Sequence, residues 1–398
     1  MSLPILRLKK NEERRLRAGH VWIYSNEIDT KFSPLKDLLP GQEVKVVAYD
    51  KSLLGVAYVN PHSLITGRLI GRKLKDVLSL ELLTKRLHDA NSWREKAFGT
   101  AFYRMVFGES DLLPGLVVDR FDMHLVVQIN TAGMEAKKDL IIEALRAVLP
   151  HTESILLRND SPSRSTEGLA IYVEAAFGTP PDQIQLEENG VAFIAPLWEG
   201  QKTGWFYDHR LNRLRLKEYV QNRKVLDMFC YLGGWGIQAA QFGAREVVCV
   251  DSSALAIDVV AKNAALNQVD AKVKTRCEDV FIALKNLAEE QEKFDVIILD
   301  PPAFVKKIKD KKEGLIAYQR INEAALKLLE PGGFLFSCSC SMHVNYEDLV
   351  QVLRRASLNS KCDLQIIERG HQAQDHPIHL AIPETDYLKM IVVRKLAG

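Results

Sequence analysis

The sequence lacks any long apolar segment. No run of eighteen apolar residues occurs in the 398 residues, and the opening MSLPILRLKKNEERR contains neither an apolar stretch of the signal-peptide type nor a small-residue cleavage site. These absences argue against a membrane-spanning helix and a secretory signal. We therefore expect a cytoplasmic protein without a membrane partner.

Cysteine is absent from the first half of the chain. The six cysteines all lie in the second half, at Cys230, Cys249, Cys277, Cys338, Cys340 and Cys362. This distribution argues against a disulfide framework spread over the whole chain. We expect free thiols in a reducing compartment.

An excess of charge of one sign is also lacking, since the net charge is only +2. That balance hides an asymmetry, because residues 1–75 hold 14 Lys and Arg against 7 Asp and Glu, whereas the remainder is net negative. A local basic excess favours a polyanionic partner, because neutralised phosphates release counterions. A basic face that is merely solvated is the alternative.

What is present indicates three domains, because 398 residues exceed the usual size of one hydrophobic core. Residues 1–75 alternate apolar and polar residues between turn signals, which predicts a small β-rich domain. Residues 76–190 predict a helix over 80–101 and then strand, strand, helix, strand and strand, an α+β middle domain. Residues 191–398 alternate strands and helices, which predicts an α/β domain with a parallel, doubly wound, Rossmann-like sheet.

Seven strands are predicted in this last domain, the final two as an antiparallel hairpin. They cover residues 224–229, 246–251, 271–277, 294–300, 332–339, 364–368 and 388–394. Ligands of such sheets bind at the carboxyl ends of the strands. The predicted site therefore lies in the segments that follow the strands.

A glycine-rich segment, DMFCYLGGWG, runs from Asp227 to Gly236 after the first of these strands. Gly233 and Gly234 allow the backbone to approach a ligand closely. Asp251 and Asp279 follow the next two strands, and three carboxylates near one glycine loop suit an adenosine with a cationic appendage better than a dinucleotide. A dinucleotide fingerprint, a turn without a ligand, and helix capping by the aspartates are the alternatives.

The fourth strand ends in LDPPAF, so Asp300 is followed by two prolines that fix the backbone. A carboxylate held there can hydrogen-bond the edge of a nucleobase, and the nearby Phe304 can stack on its face. Hydride transfer has no obvious use for this arrangement. A rigid turn without chemistry is the alternative.

The fifth strand ends in SCSCS, residues 337–341. A thiolate there could add to C6 of a pyrimidine and turn C5 into a carbon nucleophile. Cys338 and Cys340 share one face of a regular strand, and Cys340 lies nearer the carboxyl end, so Cys340 is the predicted nucleophile. Inert thiols are one alternative. A metal site with His343 is another, but no further ligand cluster completes it, so no metal is expected.

Taken together, these segments resemble the bacterial ribosomal RNA large subunit methyltransferase I family, and the resemblance covers essentially the whole chain. RRLRAGHVWIYSNEI and its β-rich continuation look like a PUA domain, an RNA-binding module. QKTGWFYDHR, DMFCYLGGWG, VDSS, CEDVF, DPPAF, SCSCS and DHPIHLAIPETDYLK follow in the order of that family. The resemblance implies S-adenosylmethionine as cofactor, 23S ribosomal RNA as partner and cytosine C5 as the methylated atom.

The resemblance also implies roles for individual residues. Asp227, Gly233 and Gly234 would face the methionine part of the cofactor, Asp251 the ribose and Asp279 the adenine. The rest of the implied cofactor site is Lys202, Phe206, Asp208, Arg210 and Asp300, with Asp300 and Cys340 as the catalytic pair. Ala303 stands where many related 5-methylcytosine enzymes carry a second cysteine, so product release would need another base or water.

Two other functions stay open at this point. A guanine methyltransferase would use the same Asp-Pro-Pro segment without a thiol, and a non-catalytic RNA-binding assembly factor would use only the basic module. The intact cofactor segments argue against the second. A homodimer is a hypothesis that the sequence does not test.

Overall fold

The computed structural model describes residues 3–397. Within that range the chain divides into two units. The first contains the chain up to Ile184 together with Pro196–Tyr207 and Asp375–Thr385. The second contains Gln185–Ala195, Asp208–Gln374 and the chain from Asp386 onward. Across residues 3–397, no helix is long and apolar enough to cross a bilayer.

The first unit contains two five-stranded sheets. The strands of the first sheet are β1 (Ile5–Arg7), β2 (Trp22–Tyr24), β3 (Glu43–Val47), β4 (Leu53–Val59) and β5 (Ile65–Gly71), in the order β1-β3-β4-β5-β2. Helix α1 (Glu13–Arg17) joins β1 to β2. The apolar alternation of these strands places Leu6, Ile23, Val44 and Val46 in one buried cluster.

The second sheet has the order β10-β9-β8-β7-β6. Its strands are β6 (Phe102–Phe107), β7 (Leu116–Phe121), β8 (His124–Ile129), β9 (Ser154–Asn159) and β10 (Tyr172–Gly178). Its helices are α2 (Leu80–Phe98), α3 (Ala132–Glu135), α4 (Lys138–Val148) and α5 (Ser163–Thr166). Strand β6 was not predicted, and α2 ends at Phe98 rather than at residue 101 because Gly99 adopts the left-handed conformation of a helix cap.

Within the first unit, side chains of the first sheet form hydrogen bonds with the part of the chain that contains the second sheet. The Tyr58 hydroxyl donates to Pro114 O at 2.7 Å, and Arg68 Nη1 donates to Glu167 Oε1 at 2.9 Å. The two five-stranded sheets belong to the same unit. The predicted domain boundaries at residues 75 and 190 therefore remain predictions.

A hairpin, β11 (Gln183–Glu188) and β12 (Val191–Pro196), precedes the large sheet. The large sheet contains β13 (Lys224–Met228), β14 (Glu246–Asp251), β15 (Val273–Cys277), β16 (Phe294–Leu299), β17 (Leu329–Ser339), β18 (Leu364–His371) and β19 (Lys389–Lys395). The helices of this unit are α6 (Arg210–Leu214), α7 (Gly234–Gln241), α8 (Ala254–Leu266), α9 (Val280–Glu289), α10 (Lys311–Leu328) and α11 (Tyr346–Asn359).

The strand order is β15-β14-β13-β16-β17-β19-β18. Neighbouring strands from β15 to β17 run parallel, while β19 is antiparallel to both β17 and β18. Both the seven-stranded sheet and its terminal antiparallel hairpin were predicted. The central strands are buried on both faces, which explains their nearly unbroken apolar sequences.

Candidate active site

The carboxyl ends of β13, β14, β15, β16 and β17 lie at one edge of the large sheet, because these strands are parallel. Asp227 lies in β13 opposite Cys249 of β14 and Ile298 of β16. The glycine-rich segment, the Asp-Pro-Pro segment and Cys340 therefore follow strands that end at the same edge, and Cys338 lies in the last part of β17.

The loop after β13 is held in an uncommon backbone conformation. Phe229 (φ 62°) and Tyr231 (φ 47°) are left-handed without being glycine, and Gly233 has φ 82°. Each left-handed non-glycine residue costs about 1–2 kcal/mol, and such conformations cluster at ligand sites. A Cβ added at Gly233 would lie 2.9 Å from Ile237 Cγ1, so this position needs glycine. Gly234 is the first residue of α7.

Asp227 is fully buried beneath this loop. Its Oδ2 accepts a hydrogen bond from Gly236 N at 2.8 Å, while its Oδ1 has no hydrogen-bond partner among the described residues. Burial raises the pKa of Asp227 well above its ordinary value, against the lowering effect of the Gly236 N–H. A buried acceptor of this kind is suited to a cationic or hydrogen-donating ligand group.

The other two predicted cofactor carboxylates also organise the backbone. Asp251 accepts hydrogen bonds from Tyr231 N at 3.0 Å and from Ser253 N at 2.9 Å, which links the glycine-rich loop to the end of β14. Asp279 Oδ1 accepts from Phe281 N and Ile282 N at 2.9 and 3.2 Å and caps α9. Asp279 is therefore a helix cap, as the alternative interpretation of the sequence held. It also follows the carboxyl end of β15, where it was predicted to lie.

The remaining predicted cofactor residues fall into both units. Lys202 and Phe206 belong to the first unit, where Lys202 Nζ lies 4.8 Å from the centre of the Phe206 ring. Asp208 and Arg210 belong to the second. Asp208 Oδ2 accepts from the Tyr387 hydroxyl at 2.5 Å, and Arg210 O accepts from an asparagine of the β11–β12 hairpin. The predicted roles of all four in cofactor binding remain predictions.

Asp300 directly follows β16 and is contacted on both carboxylate oxygens. His209 Nε2 lies 3.1 Å from Oδ1, and Trp235 Nε1 donates to Oδ2 at 3.0 Å. Burial opposes ionisation, but the charge and contact of His209 and the hydrogen bond from Trp235 together lower the pKa of Asp300. The carboxylate side chain is 21% exposed, so one face remains accessible. Phe304, predicted to stack on a base, is partly buried with its ring 4.7 Å from that of Tyr318.

The two thiols differ in their surroundings. Cys338 is buried, and burial together with the charges of Asp300 and Cys340 raises its pKa well above the ordinary value. Cys340 follows the last residue of β17, is partly exposed, and places its Sγ 3.7 Å from Pro301 O. The hydroxyls of Ser339 and Ser341 both bond to the Tyr318 hydroxyl at 2.9 Å, which places the serines on one side.

His209, Trp235 and Lys389 were not predicted. Lys389 opens β19 opposite Ser339, and its Nζ donates to Ser341 O at 2.9 Å and to Tyr387 O at 2.7 Å. Burial lowers the pKa of Lys389 to about 8, although negative charges nearby oppose the shift. Each of these residues stands inside a segment that carried the predictions, namely YDHR, GGWG and DYLK.

Comparison with known proteins identifies the relatives of this chain. Residues 6–72 match the model of a PUA-like domain, and residues 170–380 match the model of an S-adenosylmethionine-dependent methyltransferase. Proteins named ribosomal RNA large subunit methyltransferase I from Tolumonas auensis and Salmonella arizonae are 38% and 35% identical to it. The alignments cover 98% and 99% of this chain and 98% of each relative. The chain belongs to this methyltransferase family.

Family membership confirms the predicted fold class and the dependence on S-adenosylmethionine. Among solved structures, a SAM-dependent methyltransferase from Streptococcus mutans has a TM-score of 0.83 at 21% identity, over 98% of this chain and all of that chain. A methyltransferase solved with SAH also has a TM-score of 0.83, at 20% identity, over 99% of this chain and all of that chain. An M. jannaschii tRNA m1G37 methyltransferase has a TM-score of 0.53 at 17% identity, over 79% of each chain. These likenesses concern the fold alone.

Proposed function

We propose that this enzyme methylates C5 of a cytosine in 23S ribosomal RNA, with Cys340 as the nucleophile. The observation that carries the proposal is the juxtaposition of two segments: the Cys340 sulfur, partly exposed, lies 3.7 Å from the carbonyl oxygen of the residue that follows Asp300. C5 of cytosine is not nucleophilic enough to accept a methyl group until a nucleophile has added to C6 of the ring. A partly exposed thiol next to the Asp-Pro-Pro segment can add to C6 of a base that this segment orients, and so make C5 nucleophilic.

Several features of the glycine-rich loop fit the cofactor. Asp227 Oδ1 is a buried acceptor without a partner among residues 3–397, and Gly233 stands where a side chain would collide with Ile237. Asp227, Gly233 and Gly234 would hold the methionine part, with Asp251 and Asp279 at the ribose and adenine. Lys202, Phe206, Asp208 and Arg210 are assigned to the same site on family resemblance. When bound, the cofactor supplies an electrophilic methyl group.

The residues of the chain supply the other steps. The Cys340 thiolate adds to C6, which leaves the electron pair of the C5–C6 double bond at C5. The Asp300 carboxylate accepts a hydrogen bond from the exocyclic amine of the cytosine and orients the ring for attack at C6. After C5 has taken the methyl group, the C5 proton passes to a base, the C6–sulfur bond breaks, and Cys340 leaves as thiolate. Because the Ala303 side chain has no atom that can accept a proton, the C5 proton passes to another base or to water.

The burial of Cys338 supports the choice of Cys340. A thiol whose pKa is raised by burial and by the neighbouring Asp300 carboxylate is seldom present as thiolate. Cys340 lies past the end of the strand, where the edge opens, so a base could reach it. The lysine-rich segment at residues 306–312, which leads into α10, follows the Asp-Pro-Pro segment, and its exposed lysines supply positive charge for phosphates.

Bisulfite sequencing of 23S ribosomal RNA tests the proposal. One cytosine should resist conversion in the wild-type strain, become convertible in a deletion strain, and resist again when the wild-type gene is restored. Restoration with the Cys340→Ala variant is the matched control and should leave the cytosine convertible. Loss of a guanine methylation from the deletion strain, with every cytosine unchanged, would contradict the proposal and favour guanine chemistry.

A further inference from the structure

A groove of about 420 Å³ lies in the first unit, on the module that contains β1 to β5. We call it the aromatic-basic groove, and its lining includes Arg7, Lys9, Lys10, Lys31, Phe32 and Tyr49. Asp29 is the one carboxylate in that lining, so four cationic side chains face a single anion. The electrostatic character of the groove therefore favours an anionic ligand.

Arg7, one of the lining residues, is held in place by its neighbours. Its Nε and Nη2 both donate to Asp29 Oδ2, at 3.0 and 2.6 Å, and its Cζ lies 3.9 Å from the centre of the Phe32 ring and 5.4 Å from that of Tyr49. The pairing with Asp29 offsets much of the charge of Arg7 but fixes its position beside the rings. Lys10 and Lys31 form no ion pair among residues 3–397, so their charges remain available to a ligand.

The two aromatic rings distinguish this groove from an ordinary basic surface. Phe32 is 45% exposed and Tyr49 is 52% exposed. Single exposed apolar residues are common, but two rings flanking a guanidinium among lysines form a platform on which bases can stack. Duplex RNA buries its base faces and would use only the lysines. A single-stranded segment would use both the lysines and the rings.

We propose that the aromatic-basic groove binds an unpaired segment of the RNA substrate, with one base stacked on Phe32, another on Tyr49, and the adjacent phosphates near Lys10 and Lys31. The inference rests on RNA being the substrate, as proposed above. Binding is measured without methyl transfer, so the failure of the groove and the failure of cytosine methylation are distinguishable.

The test compares the full-length enzyme with its variants by fluorescence anisotropy. The probes are a short unstructured RNA and a fully paired RNA hairpin. Phe32→Ala and Tyr49→Ala should each weaken binding of the unstructured RNA by about tenfold, since one stacked base contributes roughly 1–3 kcal/mol. Both should leave hairpin binding and the slope of affinity against salt unchanged. Leu64→Ala, a residue 71% exposed outside the groove lining, is the matched control.

The lysines provide the complementary measurement. Lys10→Gln and Lys31→Gln should each lower the salt slope by roughly one, whereas Lys75→Gln, exposed and outside the lining, should leave it near the wild-type value. Equal losses for hairpin and unstructured RNA in the aromatic variants would overturn the inference, as would no loss for either. Competition by an acidic peptide or anionic vesicles as effective as that of RNA would also overturn it, because the groove would then bind anions in general.

A separate observation concerns Lys389, a buried cation beside the proposed nucleophile. We propose that Lys389 is a positioning residue that favours the thiolate form of Cys340. Its Nζ donates to Ser341 O, in the residue next to Cys340, and β19 pairs with β17 so that Lys389 lies opposite Ser339. The titratable groups that act on Lys389 are Asp386, Cys340 and Asp348.

The position of Lys389 makes its charge useful and sensitive to pH. With a pKa lowered by burial to about 8, the ammonium group is still mainly charged at pH 7 and loses its proton as the pH rises above 8. A cation at that site stabilises a neighbouring thiolate more than a surface lysine would, because little water screens it.

Alkylation by iodoacetamide, followed peptide by peptide with mass spectrometry, tests this role without methyl transfer or RNA. Lys389→Met should slow alkylation of Cys340 at pH 7 by about tenfold, because a rise of about one unit in the thiol pKa lowers the thiolate fraction by that factor. Lys389→Arg should retain most of the rate. Cys277 is exposed, lies on β15 and serves as the internal reference.

An unchanged Cys340 rate in Lys389→Met, with Cys277 also unchanged, would overturn the role of Lys389. If Lys389→Met unfolds, as judged by a loss of its melting transition, the wild-type pH profile decides instead. Cys340 should then reach half-maximal alkylation at a lower pH than Cys277. The same or a higher midpoint would overturn the inference.

Discussion

His209 Nε2 lies 3.1 Å from Asp300 Oδ1. Asp300 follows β16 at the edge of the large sheet where the strands that precede the glycine-rich segment and Cys340 also end. The histidine side chain is only 4% exposed, and its Nδ1 lies 3.2 Å from the Asn212 amide nitrogen. Asp300 is therefore held from one side by a fixed imidazole and from the other by the Trp235 indole. The geometry leaves little freedom for the carboxylate to turn away from a substrate.

We expect His209→Gln to move the acid limb of the pH–rate profile to higher pH. Asp300 acts as a carboxylate, and His209 lowers its pKa, so removal of the imidazole raises that pKa and protonates Asp300 at a higher pH. Turnover at pH 7 should fall by about tenfold or more through misorientation of the carboxylate. The measurement is kcat/KM from pH 5 to 8, a range in which wild-type Asp300 stays ionised and only the variant should show an acid limb from this group. A variant with lower turnover but an unmoved acid limb would show that His209 does not tune Asp300.

A second prediction concerns Asp300 itself. Asp300→Asn retains the shape of the side chain and can still accept from Trp235, but it removes the negative charge that orients the base. Turnover should fall by about 10²–10³-fold, while cofactor affinity measured by calorimetry stays within a few-fold of wild type. Near wild-type turnover would contradict the catalytic role. A large loss of cofactor affinity would instead support the predicted assignment of Asp300 to the cofactor site.

The large sheet could be predicted from sequence because its strands are apolar almost throughout and each is followed by a turn signal. Strand β6 could not, because FYRMVF comes directly after a long helix that was predicted to continue to residue 101. At the site, aspartates and cysteines at strand ends were found because topology alone brings strand ends together. His209 and Lys389 were missed because their partners are distant in sequence, and only tertiary packing brings them close.

Asp227 should limit the stability of the cofactor-free enzyme. Its folded-state pKa is raised, so above its ordinary pKa the unfolded chain binds fewer protons than the folded one, and stability falls as the pH rises through that window. Asp227→Asn removes the buried charge, and its amide oxygen can still accept from Gly236 N. It should raise the free energy of unfolding at pH 7 by about 1–3 kcal/mol and weaken cofactor binding.

Urea denaturation at pH 7 and pH 4.5, without cofactor, measures this effect. The gain should shrink at the lower pH, because there the wild-type carboxyl group is less often ionised in the unfolded state as well. A stability loss in Asp227→Asn at pH 7 would show that the charged carboxylate is satisfied in the folded enzyme.

The glycine loop allows a matched comparison of two substitutions. Gly233 (φ 82°) and Gly332 (φ 81°) have the same left-handed backbone, but an added Cβ meets Ile237 at Gly233 and nothing within 4 Å at Gly332. Both alanine variants should lose about 1–2 kcal/mol of stability from backbone strain. Only Gly233→Ala should also lose cofactor affinity, by about tenfold in calorimetric titrations. Equal cofactor affinities in the two variants would remove Gly233 from the predicted cofactor site.

The last prediction separates the two thiols. Fluorine at C5 of cytosine is not released as the C5 proton is, so an enzyme that adds a thiolate to C6 stays attached to RNA that carries 5-fluorocytosine. Wild type and Cys338→Ala should form this complex in the presence of cofactor, visible as a band that survives denaturing electrophoresis. Cys340→Ala should form none, although it should still bind RNA and cofactor.

The reasons lie in the surroundings of the two sulfurs. Cys338 is 1% exposed and beside the Asp300 carboxylate, where its pKa is raised, so its removal costs packing and little chemistry. Cys340 is partly exposed beyond the end of β17, and its loss removes the group that bonds to C6. The opposite pattern would assign the nucleophile to Cys338. Full methylation by both single variants and by the double variant would end the thiol mechanism and leave guanine as the target to test.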